Sequence, residues 1–323
     1  MIPDNSNIYL ETSGLNYLTN NYSWKDGKAT RIFHALKGTK FYISPITIWE
    51  ILLTSDESKK EKIIFYAQNL CYSKLINSPS EFIINYILSG CPIRENKYDF
   101  HTKLDLGKTW LDLSENTAKT FVFDKDLLNE KTKLIRTTFK NINKYIEDLG
   151  IINPNDIESR KFQLWLNDLI RADKDYEFLP DRERQRRKLA LLLIFFLLCA
   201  EADFDKTPIT SFWNKLGISS TNDRMLYVIN NLYNLVHTGP FALMSEMGML
   251  QLEEGGKSNR GIYLDILHSI YLTYTNMFWT NDSHFKRMQE SDKHVIYNRI
   301  VYLQEIDIFT ARKIEISDEK IIK

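Results

Sequence analysis

The chain has 323 residues with 42 basic and 42 acidic side chains, so its formal net charge is zero. This balance argues against bulk electrostatic capture of nucleic acid as the main mode of binding, although it is compatible with a local basic groove. The length suggests one large domain or two smaller ones, and 12 glycines and 8 prolines are too few for long disordered linkers.

The cysteines and the longest apolar run bear on the compartment. Cys71, Cys91 and Cys199 have neither metal-binding spacing nor the even count of a disulfide framework, which favours a reducing cytosol. The first residues lack the charged and apolar regions of a signal peptide. The apolar run 189–200 has 12 residues, whereas a membrane-spanning helix needs about 20. We therefore expect a cytoplasmic protein without a membrane partner, in which this run is a buried helix.

The first predicted element is a short strand that ends in polar residues. Residues 7–10 are β-prone and apolar, and Glu11, Thr12 and Ser13 follow at once. In a parallel α/β sheet, polar residues at the carboxyl end of a strand lie where ligands bind. Glu11 is therefore a candidate functional carboxylate.

A second strand and helix follow along the chain. Ser23 is the expected cap of a helix over residues 24–36, and residues 40–44 form the next predicted strand. Pro45 suits the first turn of the helix after it. Glu50 lies among apolar residues of that helix, where a carboxylate must face solvent, a cation or a metal. Two more helices are predicted over residues 59–73 and 80–88.

Strand signals nearly vanish between residues 96 and 245, and helical periodicity replaces them. We interpret residues 96–245 as a mostly α-helical insertion. The basic run 182–188 within it is open to two interpretations: a solvated first turn that pairs with acidic helices, or a patch that contacts phosphates. The predicted helices span residues 104–116, 124–149, 155–171, 181–202, 208–216 and 221–236.

Polar residues again follow a predicted strand near the C-terminal end. The apolar residues 277–279 lead directly into Thr280, Asn281 and Asp282. Asp282 is thus placed at a strand end, as Glu11 is, although an aspartate in such a position is often only a helix cap. A last strand is predicted over residues 299–303.

The helix before that strand carries a further carboxylate. Apolar residues recur with helical spacing over residues 262–274, and Asp265 interrupts this stripe. His268 on the same helix is more simply explained as a hydrogen-bonded histidine than as a catalytic one.

Four carboxylates therefore come from four separate segments of the chain: Glu11, Glu50, Asp265 and Asp282. Hard divalent cations prefer oxygen ligands, and two such ions would activate a water and stabilise the leaving oxygen in phosphodiester cleavage. Zinc is disfavoured because no Cys or His pair has its spacing. The expected metal is Mg²⁺ or Mn²⁺.

The order of these motifs resembles that of the PIN-domain nucleases. Residues 8–18, 43–52 and 265–285 carry the resemblance, which covers about residues 5–90 and 255–305. It implies an α/β domain of residues 1–95 and 246–323, with a PIN-like, Rossmann-like parallel sheet flanked by helices. Residues 96–245 would be an insertion into this domain.

The resemblance also implies roles for individual residues. The four carboxylates would be catalytic metal ligands, and RNA, or another single-stranded nucleic acid, would be the substrate. The family often works with an inhibitory protein, so a regulatory protein partner is also expected. The residues that would support the ligands are Thr12, Ser13, Thr280 and Asn281. The residues that we expect near the substrate backbone are Lys257, Arg260, His284, Lys286 and Arg287.

One departure from the family pattern leaves two functions open. The first acid of the family is usually Asp, and Glu11 stands in its place. The extra methylene moves the carboxylate by about 1.5 Å, whereas Mg²⁺ demands near-ideal octahedral geometry. The chain is then either a metal-dependent endoribonuclease, which would act slowly or prefer Mn²⁺, or a catalytically impaired PIN-like module that binds protein or RNA.

Overall fold

The computed structural model describes residues 7–22, 27–71, 76–89, 178–198, 207–236, 238–253, 262–291 and 295–308. The predicted helices over 104–116, 124–149 and 155–171 lie outside the described residues. The described chain divides into two compact units. The first contains the residues up to Ser78 and from Tyr271 onward, and the second contains the residues from Pro79 to Ile270. Of the described residues, the second unit thus takes in 79–89, 246–253 and 262–270, which the sequence analysis assigned to the α/β domain.

The first unit is built on a four-stranded, all-parallel sheet with the strand order β2-β1-β3-β4. The strands are β1 (Asn7–Leu10), β2 (Lys40–Tyr42), β3 (Met277–Thr280) and β4 (Ile300–Tyr302). The helices of the described chain are α1 (Thr12–Asn21), α2 (Lys28–Ala35), α3 (Pro45–Leu53), α4 (Glu57–Leu70), α5 (Pro79–Ser89), α6 (Asp181–Leu198), α7 (Thr207–Leu216), α8 (Thr221–Tyr227), α9 (Gly239–Glu253), α10 (Ile262–Ser269) and α11 (Ser283–Glu290).

Both faces of β1 are buried, as expected for a strand inside a parallel sheet. Ile8 and Leu10 lie in the hydrophobic core that α1 and α4 also line. Tyr9 points to the opposite face, where its ring stacks on Tyr271 at 4.7 Å and lies 5.1 Å from the ring of Phe278. The α/β fold class with a parallel sheet and flanking helices is therefore confirmed.

Helix α1 approaches the sheet more closely than a side chain would allow. A Cβ atom on Gly14 would lie 2.8 Å from the Trp279 carbonyl oxygen and 3.1 Å from Leu10 Cδ1. Glycine at this position lets the helix backbone pack directly on β3. This contact fixes the position of the first turn of α1 above the sheet.

The helix predicted over residues 24–36 begins later than expected. Gly27 has a φ of 65°, in the left-handed region that is incompatible with a continuing right-handed helix, and α2 begins at Lys28. Ser23, the expected cap, lies outside the described residues. The prediction of a start at residue 24 is wrong because the left-handed glycine separates α2 from the chain before it.

The basic run at the start of α6 is paired within the second unit. Arg182 donates to Glu246 and Glu253 of α9, and Arg186 donates to Glu183 and to Ser245 Oγ. The hydrogen bonds to Glu246 are the main cause of the raised pKa of Arg182. These contacts favour the interpretation as a partner of acidic helices over that as a phosphate patch.

The apolar run behind it packs as a buried helix. Leu189, Leu193, Ile194 and Leu197 are almost fully buried within the second unit. None of the helices in the described part of the chain combines the length and the apolarity that a membrane crossing requires.

Candidate metal centre

Two strands of the sheet bring acidic segments to its carboxyl edge. Glu11 follows β1 and flanks the N-terminus of α1, while Asp282 follows β3 and caps α11. The Glu11 N–H donates to the Trp279 carbonyl at 3.0 Å, which extends the pairing of the two strands beyond Leu10. Glu11 therefore lies beside Thr280, the last residue of β3.

The Glu11 carboxylate is buried and held by two hydroxyl groups. Its side chain is 3% exposed. Thr280 Oγ1 donates to Glu11 Oε2 at 3.0 Å, and Ser13 Oγ donates to the same oxygen. The hydroxyl oxygens of Ser13 and Thr280 lie 3.1 Å apart, side by side on this carboxylate oxygen.

Glu50 lies next to Glu11. Helix α3 starts with Ser44 as its cap and Pro45 in its first turn, and it places Glu50 half-buried in its last turn. Thr12 Oγ1 donates to Glu50 Oε2, and carboxylate oxygens of Glu50 and Glu11 lie within 4.8 Å of each other. At that distance, two full charges repel by about 3 kcal/mol at an effective dielectric constant of about 20. A bound cation would remove this cost.

The hydroxyl network continues to Asp282. The backbone N–H of Asp282 donates to Thr280 Oγ1 at 3.0 Å, and that of Asn281 donates to Ser13 Oγ at 2.8 Å. The Asp282 carboxylate accepts from the backbone N–H of His284 at 2.7 Å, and His284 Nδ1 lies 3.1 Å from the same oxygen. We call Glu11, Glu50 and Asp282 the acidic cluster.

A buried tyrosine lies beneath the cluster, and sequence reasoning missed it. Burial raises the pKa of Tyr9 well above its usual range, hydrogen bonds with Ser44 and Thr47 lower it, and the charges of Glu11 and Glu50 raise it further. The Tyr9 hydroxyl lies 2.7 Å from Ser44 Oγ. The only signal in the sequence is the alternation of β1, which puts Tyr9 on the face opposite to Ile8 and Leu10 without showing what it meets there.

The remaining predicted ligand belongs to the second unit. Asp265 is 8% exposed and His268 is fully buried, and both lie on α10, three residues apart on one helical face. The first unit resumes at Tyr271, six positions after Asp265. The role of Asp265 as a fourth ligand stays a prediction.

The residues expected near a substrate backbone lie in several places. Lys257 and Arg260 lie outside the described residues. His284 is 6% exposed and turned towards Asp282. Lys286 donates to Glu305, the main cause of its raised pKa, and lies 5.1 Å from the centre of the Tyr302 ring. In this structure the Lys286 ammonium thus contacts other residues of the same protein.

The donor set of the acidic cluster fits a hard divalent cation. It supplies two carboxylates within 4.8 Å of each other, those of Glu11 and Glu50, and the hydroxyls of Thr12, Ser13 and Thr280 donate to them, so that oxygen predominates. Mg²⁺ and Mn²⁺ take such oxygen ligands. Residues that orient ligands by hydrogen bonding are a regular part of metal sites.

The architecture of the first unit is compatible with a Rossmann-like fold, because its four strands are all parallel and helices flank them. The assignment to the PIN-domain nucleases within that class depends on the sequence motifs alone. Comparison of the chain with protein-family models, curated proteins and solved structures finds no match in any of the three.

Proposed function

We propose that the protein is a metal-dependent endonuclease that hydrolyses RNA phosphodiester bonds at the acidic cluster. The observation that carries the proposal is the pair of carboxylates, Glu11 and Glu50, held within 4.8 Å of each other at the carboxyl edge of a parallel sheet. Like charges at this distance, with Glu11 buried and Glu50 half-buried, are costly unless a cation or a proton compensates them. The preference for RNA comes from the resemblance to PIN-domain nucleases.

Each side chain of the cluster has a defined part in this proposal. Glu11, Glu50 and Asp282 would hold Mg²⁺ or Mn²⁺, and the resemblance adds Asp265. When bound, such an ion supplies an activated water and stabilises the leaving oxygen of the phosphodiester. Thr12 and Ser13 keep the two glutamates in fixed orientations, which reduces the reorganisation that substrate binding requires.

The test is cleavage of single-stranded RNA and DNA with Mg²⁺ or Mn²⁺ by the wild type and by Glu50→Gln and Asp282→Asn. We expect each variant to lose at least about 100-fold in rate, since loss of a ligand should cost no less than loss of an orienting partner. Glu61→Gln is the matched control, because Glu61 is an exposed glutamate of α4 outside the cluster. Unchanged cleavage by both cluster variants would refute the proposal.

A second function is supported by two contacts of the same site. Glu11 Oε2 accepts from two hydroxyls, and Asp282 caps α11, so both carboxylates have structural roles without a metal. The alternative is a catalytically impaired module that binds RNA or protein. Calorimetry with Mg²⁺ and Mn²⁺ separates the two, because the alternative predicts neither metal binding nor cleavage. Glu11→Asp, which restores the family residue, should raise cleavage if the longer side chain limits the site.

A further inference from the structure

A polar cavity lies beside the acidic cluster in the first unit. Its volume is about 580 Å³, within the range of small-molecule sites. Ser13, whose hydroxyl binds Glu11, forms part of its wall and connects it to the cluster. We call this cavity the amide groove after the side chains that line it. Those used below are Asn16, Tyr17, Asn20, Lys59, Asn281 and Gln304.

The position of the groove follows from the parallel sheet. Asn281 comes directly after β3 and Gln304 is the second residue after β4, so both lie at the carboxyl edge that carries the acidic cluster. Asn16 and Asn20 are four residues apart on α1 and therefore share one helical face. Amide groups from three segments thus converge on one space.

Two of these amides have an unmet capacity for hydrogen bonding. The Oδ1 atoms of Asn16 and Asn281 are buried and have no hydrogen-bond partner among the residues that the structure describes. Buried acceptors are normally paired. The terminal torsion of asparagine is broad, so these amides can reorient when a hydrogen-bond donor enters the groove. A ligand with hydrogen-bond donors would satisfy them.

The other two lining groups suit a nucleotide. The half-buried ring of Tyr17 offers a surface on which a base can stack. The neighbouring Lys60 pairs with Glu57 at 2.7 Å, whereas no ion pair involves the Lys59 ammonium in the described part of the chain. Lys59 is therefore available for a phosphate.

We propose that the amide groove binds one unstacked base of a single-stranded RNA, next to the scissile phosphate, and sets a base preference. Asparagine and glutamine amides both donate and accept, so they match the mixed donors and acceptors of a base edge. Such edges are accessible in single strands and not in A-form duplexes. This inference rests on the proposed function, because the acidic cluster next to Ser13 would be the site of cleavage.

The test measures binding separately from cleavage. Fluorescence anisotropy is recorded for hexaribonucleotides of A, C or U with the full chain in EDTA, which blocks metal-dependent hydrolysis. We expect the wild type to prefer one base by about tenfold, and Asn16→Ala and Gln304→Ala to reduce this preference to about threefold or less. Lys59→Ala should lower the affinity for all three oligonucleotides by a similar factor, because it removes a phosphate contact.

Matched controls come from the outer face of α4. Asn69→Ala removes an exposed amide, and Lys62→Ala removes an exposed ammonium one turn after Lys59. Both control variants should bind like the wild type. Base preference that persists in Asn16→Ala and Gln304→Ala would overturn the inference, as would equal binding of all three oligonucleotides by the wild type.

The two proposals fail in different ways. Base-selective binding that depends on Asn16, without any cleavage in Mg²⁺ or Mn²⁺, would support the groove and contradict the nuclease function. Cleavage without base-selective binding would contradict only the groove. A protein that neither binds RNA in EDTA nor cleaves it with metal would overturn both.

Discussion

At the scale of single residues, hydroxyl groups connect the acidic cluster to the backbone. A hydroxyl has one donor and two acceptor positions. The Ser13 hydroxyl donates to Glu11 and accepts from the backbone N–H of Asn281. The Thr280 hydroxyl donates to Glu11 and accepts from the backbone N–H of Asp282. The backbone after β3 therefore helps to fix the orientation of the Glu11 carboxylate, through these two hydroxyls.

Replacing Thr280 with Val should remove this link without changing the volume of the side chain. The expected result is a loss of about 10- to 100-fold in metal-dependent cleavage with the fold retained. Thr275→Val is the control, since Thr275 is also fully buried but its hydroxyl donates to the Tyr271 carbonyl. Equal rates for the two variants, both confirmed as folded by circular dichroism, would argue against an orienting role.

Tyr66 carries a buried hydroxyl that weakens the first unit. The residue is 2% exposed, and its hydroxyl has no hydrogen-bond partner among the described residues. Tyr66→Phe should raise the free energy of unfolding by about 1 kcal/mol, because it removes an unsatisfied polar group. Urea unfolding of both proteins at pH 8 measures this difference. Tyr86→Phe, which removes a hydroxyl that donates to Thr238 at 3.0 Å, should instead destabilise the protein.

The same residue predicts a dependence on alkaline pH. Burial, followed by the nearby Tyr22, raises the pKa of Tyr66 from 10.0 to about 12. A raised pKa means that the folded state holds its proton longer than the unfolded state. The ionisation of Tyr66 therefore leaves the free energy of unfolding unchanged below pH 10 and lowers it as the pH rises to about 12. The advantage of Tyr66→Phe should grow as the pH rises from 10.0 to about 12, following this titration.

At the scale of elements, the packing of α1 on β3 sets the position of the site. Gly14→Ala would bring a methyl group to 2.8 Å from the Trp279 carbonyl oxygen, so the helix must shift. We expect a loss of about 1–3 kcal/mol in stability, together with reduced cleavage, because Thr12 and Ser13 move with the helix. Thermal unfolding and the cleavage assay measure the two effects.

Gly217→Ala separates these effects. Gly217 has a φ of 69° and lies in the second unit, and no atom of the described residues lies within 4 Å of an added Cβ. It should cost about 1 kcal/mol through backbone strain and leave cleavage unchanged. A Gly14→Ala variant that is destabilised but fully active would show that the site tolerates movement of α1.

Elements with strong local signals were predictable. The strand predicted at residues 7–10 matches β1, because the run is too short for a helix and contains β-branched and aromatic residues. Pro45 at the first turn of α3 was equally clear. The start of α2 was placed too early, because glycine can adopt either sign of φ and the left-handed conformation of Gly27 was not anticipated. The amide groove could not be predicted from the sequence either, since Asn16 and Gln304 come together only through the sheet.

At the scale of the whole molecule, the sheet joins the two ends of the sequence. Leu10 of β1 pairs with Trp279 of β3, and the hydrogen bond from Thr280 to Glu11 spans 269 positions. Such pairing cannot be read from local periodicity, so the strand order β2-β1-β3-β4 was not predicted. It also implies slow folding, because long-range contacts must form before the core closes.

The charge repulsion in the acidic cluster predicts that metal stabilises the fold. Mn²⁺ at about 100 times its Kd should add about 2.7 kcal/mol to the free energy of unfolding. Without metal, Glu50→Gln should be more stable than the wild type, since it relieves the repulsion with Glu11, and it should gain much less from Mn²⁺. Thermal melting with Mn²⁺ and with EDTA measures both. If Mn²⁺ leaves the melting temperature of the wild type unchanged, the metal site is contradicted.

The first turn of α1 has a further consequence for control of the protein. Thr12 holds Glu50 and the adjacent Ser13 holds Glu11, so one rigid turn of helix governs both glutamates. Movement of that turn would remove a hydrogen bond from each carboxylate, while Glu11 would keep the bond from Thr280. A regulator that displaces α1 would therefore weaken the support of both glutamates in one step.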